Sequence, residues 1–108
     1  MQTFGQEYRR RSRRLKMSQP LMVRPLEPQA RVDPDIGATQ NVSREGFYFH
    51  TTRDSYVEGM RLSVILPYHS LNDSRNRSYI GQVVRVETLS NGQFGVAIRL
   101  LSAVPLSG

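Results

Sequence analysis

The sequence predicts an all-β domain of six antiparallel strands, closed as a barrel or curled as a sandwich. Three observations carry that expectation. Apolar residues recur with a period of two, most cleanly at Met60, Leu62, Val64 and Leu66, as in a strand with one buried face. Turn-forming clusters separate such runs at short intervals, and Ser90-Asn91-Gly92 holds the Asn-Gly pair that favours hairpins. No stretch reads convincingly as a helix.

The elements follow in order. Residues 1–19 are polar and charged without periodicity and are expected to form a flexible, arginine-rich N-terminal arm. Residues 20–26 form a first strand entered through Pro20, and 27–35, with Pro28 and Pro34, a loop. A second strand covers Ile36 to Val42, a tight turn Ser43 to Gly46, and an aromatic third strand Phe47 to Thr52. Phe47 and Phe49 share the face expected to enter the core, while Tyr48 and His50 point the other way. After a loop, Met60 to Leu66 is the fourth strand, and residues 69–77 are a polar connection. Ser78 to Leu89 is a fifth strand whose alternation is less clean, around Ile80, Val83, Val84 and Val86. Phe94 to Leu100 is the sixth. The domain organisation is therefore an arm at 1–19, a barrel at 20–102 and a tail at 103–108, too short for a substantial C-terminal helix.

Composition narrows the function classes. The 108 residues include no cysteine, so disulfides, thiolate metal sites and thiol nucleophiles are excluded. His50 and His69 are the only histidines and lack metal-ligand spacing; no metal and no cofactor is expected. Asp54 and Glu58 have no paired-acid context, and no serine nucleophile motif is present, so the chain is not read as an enzyme. No apolar run approaches 18 residues, and the basic N-terminus leads into no signal-peptide core. Membrane insertion is not expected, and the expected location is cytoplasmic.

The net charge of +6 is unevenly placed. Residues 1–16 carry six basic side chains against Glu7 alone, leaving the remainder close to neutral. Within that arm lie Arg9, Arg10, Arg11, Arg13 and Arg14. Guanidinium forks pair with phosphate oxygens and with the O6/N7 edge of guanine, and their planes stack on purines. The second cluster is Asn41-Val42-Ser43-Arg44-Glu45-Gly46, an Asn-x-Ser-x-x-Gly signature. An amide, a hydroxyl and a glycine make a compact polar floor for a nucleobase. Gly46 reads either as a left-handed turn glycine or as a point of close approach. Together the clusters point to a receptor for a small guanine nucleotide.

An Arg-x-x-x-Arg element, a proline-bearing strand, a strand ending in Asn-x-Ser-x-x-Gly and an aromatic strand, in that order, closely resemble the PilZ domain. The resemblance runs from about Tyr8 to Leu101 and includes Gly81-Gln-Val-Val-Arg-Val and Gly95-Val-Ala-Ile-Arg-Leu. It implies a six-stranded split β-barrel that binds the bacterial second messenger cyclic di-GMP, signals through a downstream protein effector and has no catalytic role. Two registers fit: Arg10 with Arg14, favoured because Leu15 follows Arg14, and Arg9 with Arg13. In the favoured register Arg9 precedes the motif, a position associated in the family with two intercalated ligands per chain. The resemblance assigns ligand binding to Arg9, Arg10, Arg14, Asn41, Ser43 and Gly46, with Arg11 and Arg13 as secondary candidates. The sequence departs from the family at Ala97, where glycine is common, at Leu100, where phenylalanine is common, and in lacking the usual C-terminal helix. Rival readings are a basic barrel that binds single-stranded nucleic acid through the arm and the Tyr48 face, and a ligand-free adaptor.

Overall fold

The computed structural model describes residues 16–27 and 33–104. The arginine run from Arg9 to Arg14 lies outside the described residues. Six strands form: β1 (Pro20–Pro25), β2 (Asp35–Ser43), β3 (Gly46–Thr51), β4 (Arg61–Ile65), β5 (Ser78–Thr88) and β6 (Phe94–Val104). Every pairing is antiparallel, and the strands close into a barrel in the order β1-β2-β3-β6-β5-β4. Closure decides between the two architectures that strand patterning left open, in favour of the six-stranded antiparallel barrel that the family resemblance implies. It depends on β1 meeting β4, with Met22 opposite Ile65 and Pro25 opposite Leu62. That contact spans some forty residues and removes the sheet edges.

The period-two pattern supplies the core. Leu21, Val23, Phe47, Leu62, Val64 and Val96 are fully buried, and each such side chain contributes about 1.5–3 kcal/mol relative to exposure. Phe47 and Phe49 both point inward, their ring centroids 5.9 Å apart. Tyr56, from the segment between β3 and β4, stands edge-on to Phe49 at 5.7 Å and closes one end. Its hydroxyl donates to Asp35 Oδ2 at 2.7 Å, which also accepts from Thr51 at 2.8 Å.

The irregular alternation of β5 has a physical cause. The β5–β6 register shifts between Ile80 and Gly81 and again between Val83 and Arg85. Each bulge adds a residue, bends the strand and moves the following side chains to the other face. Val83 is therefore buried while Val84 is exposed. The final strand also runs past Leu100 to Val104, because Ser78, Tyr79 and Ile80 of β5 pair with Val104, Ala103 and Ser102. The Asn-Gly expectation holds: Asn91 and Gly92 take φ of 62° and 77° in the β5–β6 turn, a left-handed pair suited to those residues. Among the described residues, no helix is long and apolar enough to cross a membrane.

Candidate functional site at the β2–β3 rim

The chain enters the barrel beside the signature turn. Thr39 N–H donates to the Gln19 carbonyl at 2.9 Å, and Gln19 N–H donates to the Thr39 hydroxyl at 2.9 Å. The same hydroxyl donates to the Met17 carbonyl at 2.6 Å. Thr39 is buried, so these bonds satisfy its amide and hydroxyl in place of water. Its partners lie just before β1, and Asn41 follows it by two residues across a register shift in β2. Tyr68 N–H donates to the Pro20 carbonyl at 2.9 Å, fastening the β4–β5 connection to the same end.

Asn41 is half-buried on β2, opposite Tyr48 of β3, and Ser43 is opposite Gly46. The Ser43 hydroxyl accepts from Glu45 N–H at 3.2 Å and approaches the Gly46 carbonyl at 3.4 Å. It thereby shapes the two-residue turn at Arg44 and Glu45, and one acceptor lone pair is left over. Gly46 does not have the left-handed conformation that a turn glycine suggests; Gly59 and Gly92 are the described glycines that do. Its small size matters instead because a Cβ there would collide with the Ile98 carbonyl oxygen and lie 3.2 Å from the Arg99 Cα. β3 and β6 thus approach each other directly behind the signature turn.

The outer face continues from Asn41 into a polar cluster. Tyr48, Ala97 and Arg85 lie side by side on β3, β6 and β5. The Tyr48 hydroxyl donates to Glu87 Oε1 at 3.0 Å, and Arg85 Nε donates to Glu87 Oε2 at 2.8 Å. Burial, followed by the Glu87 bond, pushes the Tyr48 phenol above its usual pKa. The Tyr48 and Arg85 bonds in turn hold the Glu87 carboxyl below the usual carboxylate range. Arg99, exposed on β6, pairs in register with Gly46.

The structure therefore brings Asn41, Ser43 and Gly46 together at the end where the basic arm joins the barrel. Arg9, Arg10, Arg11, Arg13 and Arg14 lie outside the described residues. Sequence reading missed Thr39, whose role depends on a contact with a residue twenty positions away. It also missed the Tyr48–Glu87–Arg85 cluster, which spans two strands separated by a third. Two concavities, of 650 and 230 Å³, open beside Pro25, Ser55 and Met60 at the opposite end of the barrel. No group of three metal-ligating side chains gathers among the described residues.

A closed six-stranded barrel with a signature turn beside its chain entry defines a small β-barrel domain. The PilZ domain family model matches residues 8–105, nearly the whole chain, and the chain belongs to the PilZ domain family. PilZ domains are receptor and adaptor domains, and the family is one of cyclic di-GMP receptors. Among solved structures, the fold is similar to the Bacillus subtilis inhibitor of motility (MotI/DgrA), with a TM-score of 0.66 and 14% identity. That likeness covers 89% of this chain and 44% of the other, and it is a likeness of fold. The chain spans less than half the length of that protein. No curated protein matches the sequence significantly.

Proposed function

We propose that the protein is a cyclic di-GMP receptor that clamps its ligand between the N-terminal arm and the β2–β3 rim. Arg10 and Arg14 pair with phosphate and with the guanine edge, and Arg9 extends the contact to a second ligand molecule. Arg11 and Arg13 add positive field. Asn41 and Ser43 hydrogen-bond guanine, and Gly46 keeps the surface low enough for the ligand to approach. The single observation that supports this reading best is the double hydrogen bond between Gln19 and Thr39. It roots the arm two residues from Asn41, so both halves of the motif work from one end of the barrel.

The energetics are adequate. A charge-assisted hydrogen bond contributes about 1.5–3 kcal/mol. Three or four of them, less the cost of fixing the arm, give a micromolar Kd, about −8 kcal/mol. The signal is the new shape and charge of the arm once two phosphates neutralise part of its +5, read by a downstream protein. Equilibrium dialysis of labelled cyclic di-GMP against the wild-type chain, an Arg10→Ala/Arg14→Ala variant and Asn41→Ala tests the assignment. The double arginine variant is expected to lose well over tenfold in affinity and Asn41→Ala roughly tenfold, about 1.4 kcal/mol. Unchanged affinity in both would refute the clamp.

A further inference from the structure

On the outer face, the ring of Tyr48 lies beside Asn41, its register partner. The Tyr48 ring lies across Gly95: a Cβ on that glycine would strike the tyrosine hydroxyl and stand 2.6 Å from ring atom Cζ. Any other residue at position 95 would lift the ring off the sheet. The hydroxyl is fixed to Glu87 Oε1 at 3.0 Å, and His50 meets the ring edge-on at 5.3 Å. The ring is therefore held flat, with one face on the sheet and the other turned outward.

The outward face has a cover. The Arg85 guanidinium carbon lies 5.9 Å from the ring centroid, over its plane, and Arg85 is tethered by Nε to Glu87. The Arg85 side chain is 56% exposed. A planar base held between two flat groups needs about 7 Å, twice the ~3.5 Å contact distance. An outward shift of the guanidinium by roughly 1 Å would open that slot, with the Glu87 tether as its hinge. The slot adjoins Asn41, whose register partner is Tyr48 itself. A purine hydrogen-bonded by the Asn41 amide reaches across one strand spacing, about 5 Å, to the ring. Arg99, one row nearer Gly46, is exposed, and its side chain makes no hydrogen bond or ion pair among the described residues, so its guanidinium flanks the slot.

We propose that Tyr48, laid flat on Gly95, is the stacking platform for one guanine of the bound cyclic dinucleotide, with Arg85 closing over the opposite face of the base. This rests on the cyclic di-GMP reading and extends the contact surface beyond the two sequence motifs. The stack adds recognition of a purine plane to the edge recognition supplied by Asn41. It also links ligand binding to the Arg85–Glu87 pair on β5, because the base moves Arg85.

The test compares wild type, Tyr48→Phe and Tyr48→Leu by calorimetry with cyclic di-GMP, alongside proton NMR of the ligand's guanine H8. Phenylalanine keeps the platform and loses only the hydroxyl; leucine loses the aromatic plane. The expected result is affinity within about threefold of wild type for Tyr48→Phe and a loss of roughly tenfold or more for Tyr48→Leu, the range of base–aromatic stacking. Guanine H8 should move upfield on binding to wild type and Tyr48→Phe but not to Tyr48→Leu. Wild-type binding with equal affinity and equal H8 shift in Tyr48→Leu would overturn the platform and leave the receptor reading intact. No binding by wild type would remove both. If Tyr48→Leu does not fold, a nuclear Overhauser contact between H8 and the Tyr48 ring of wild type, assigned by its loss in Tyr48→Phe at the tyrosine frequencies, decides the point; its absence would overturn the platform.

Discussion

Thr39 and Gln19 exchange two hydrogen bonds, each of 2.9 Å, and through them the chain that precedes β1 is fixed against β2. The hydroxyl half of that exchange is separable from the backbone half. Thr39→Val keeps the shape and loses the hydroxyl, leaving Gln19 N–H and the Met17 carbonyl without their partner. Gln19 is half-buried and Met17 exposed, so water takes up part of the loss, and the cost is that of an ordinary hydrogen bond, about 0.5–1.5 kcal/mol. For a barrel of this size that corresponds to a Tm lowered by about 4–8 °C per kcal/mol. Thermal melts should show that loss. Affinity for cyclic di-GMP should fall as well, although every motif residue is intact, because the arm's root is then held at the rim by the backbone bond alone.

Gly46→Ala tests the close approach of β3 to β6. The added methyl meets the Ile98 carbonyl oxygen, which belongs to the backbone of a central strand and has no rotamer to change. Overpacking of this kind costs about 1–3 kcal/mol. Urea denaturation should show a lowered midpoint even without ligand. A variant as stable as wild type would mean that the glycine serves the ligand alone.

Alkaline pH should weaken the fold through Tyr56. Burial, and then its hydrogen bond to Asp35, raise its folded pKa above the ordinary value, while the unfolded chain titrates near about 10. The folded state thus keeps a proton that the unfolded state releases. The stabilisation is complete below about pH 10 and is lost above it, by about 1.4 kcal/mol per pH unit. Stability measured in urea from pH 9 to 11 should fall more steeply for wild type than for Tyr56→Phe. Parallel slopes would contradict the assignment.

Arg9 should set stoichiometry rather than basic recognition. In the favoured register it precedes the Arg10/Arg14 pair. Arg9→Ala is expected to reduce the bound cyclic di-GMP from two molecules per chain to one, while Arg14→Ala lowers affinity at least tenfold, about 1.4 kcal/mol. Calorimetric stoichiometry separates these effects. A wild-type value of one would remove the two-ligand assignment.

Much of the barrel was legible because a half-buried strand writes its orientation into every second residue, as Met60 to Leu66 and Phe47 to Phe49 show. The Asn91-Gly92 turn was legible because few other residues accept φ near +60°. Closure was not legible in the strand pattern, since it depends on β1 meeting β4, a contact with no local signal; the barrel expectation came from the family resemblance. β5 was blurred because its bulges reset the alternation that sequence reading relies on. At the site, Asn41, Ser43 and Gly46 stood out as a motif, but the physical role of Gly46 did not. Its spacing left a left-handed turn and a close approach both open; the structure shows the close approach, to the carbonyl of Ile98, 52 positions along the chain. Thr39 and the Tyr48–Gly95 stack were invisible for the same reason: each acts through a residue distant in sequence.

The central claim is a ligand held between arm and rim, and calorimetric titration of the purified protein with cyclic di-GMP tests it most directly. The titration is run at about 150 mM salt, where diffuse phosphate attraction is screened, with GTP and a short oligonucleotide as controls. Saturable micromolar binding of cyclic di-GMP alone is the predicted result. No heat from cyclic di-GMP, together with oligonucleotide binding that weakens steeply as salt rises, would contradict it and make the arm a nucleic-acid contact.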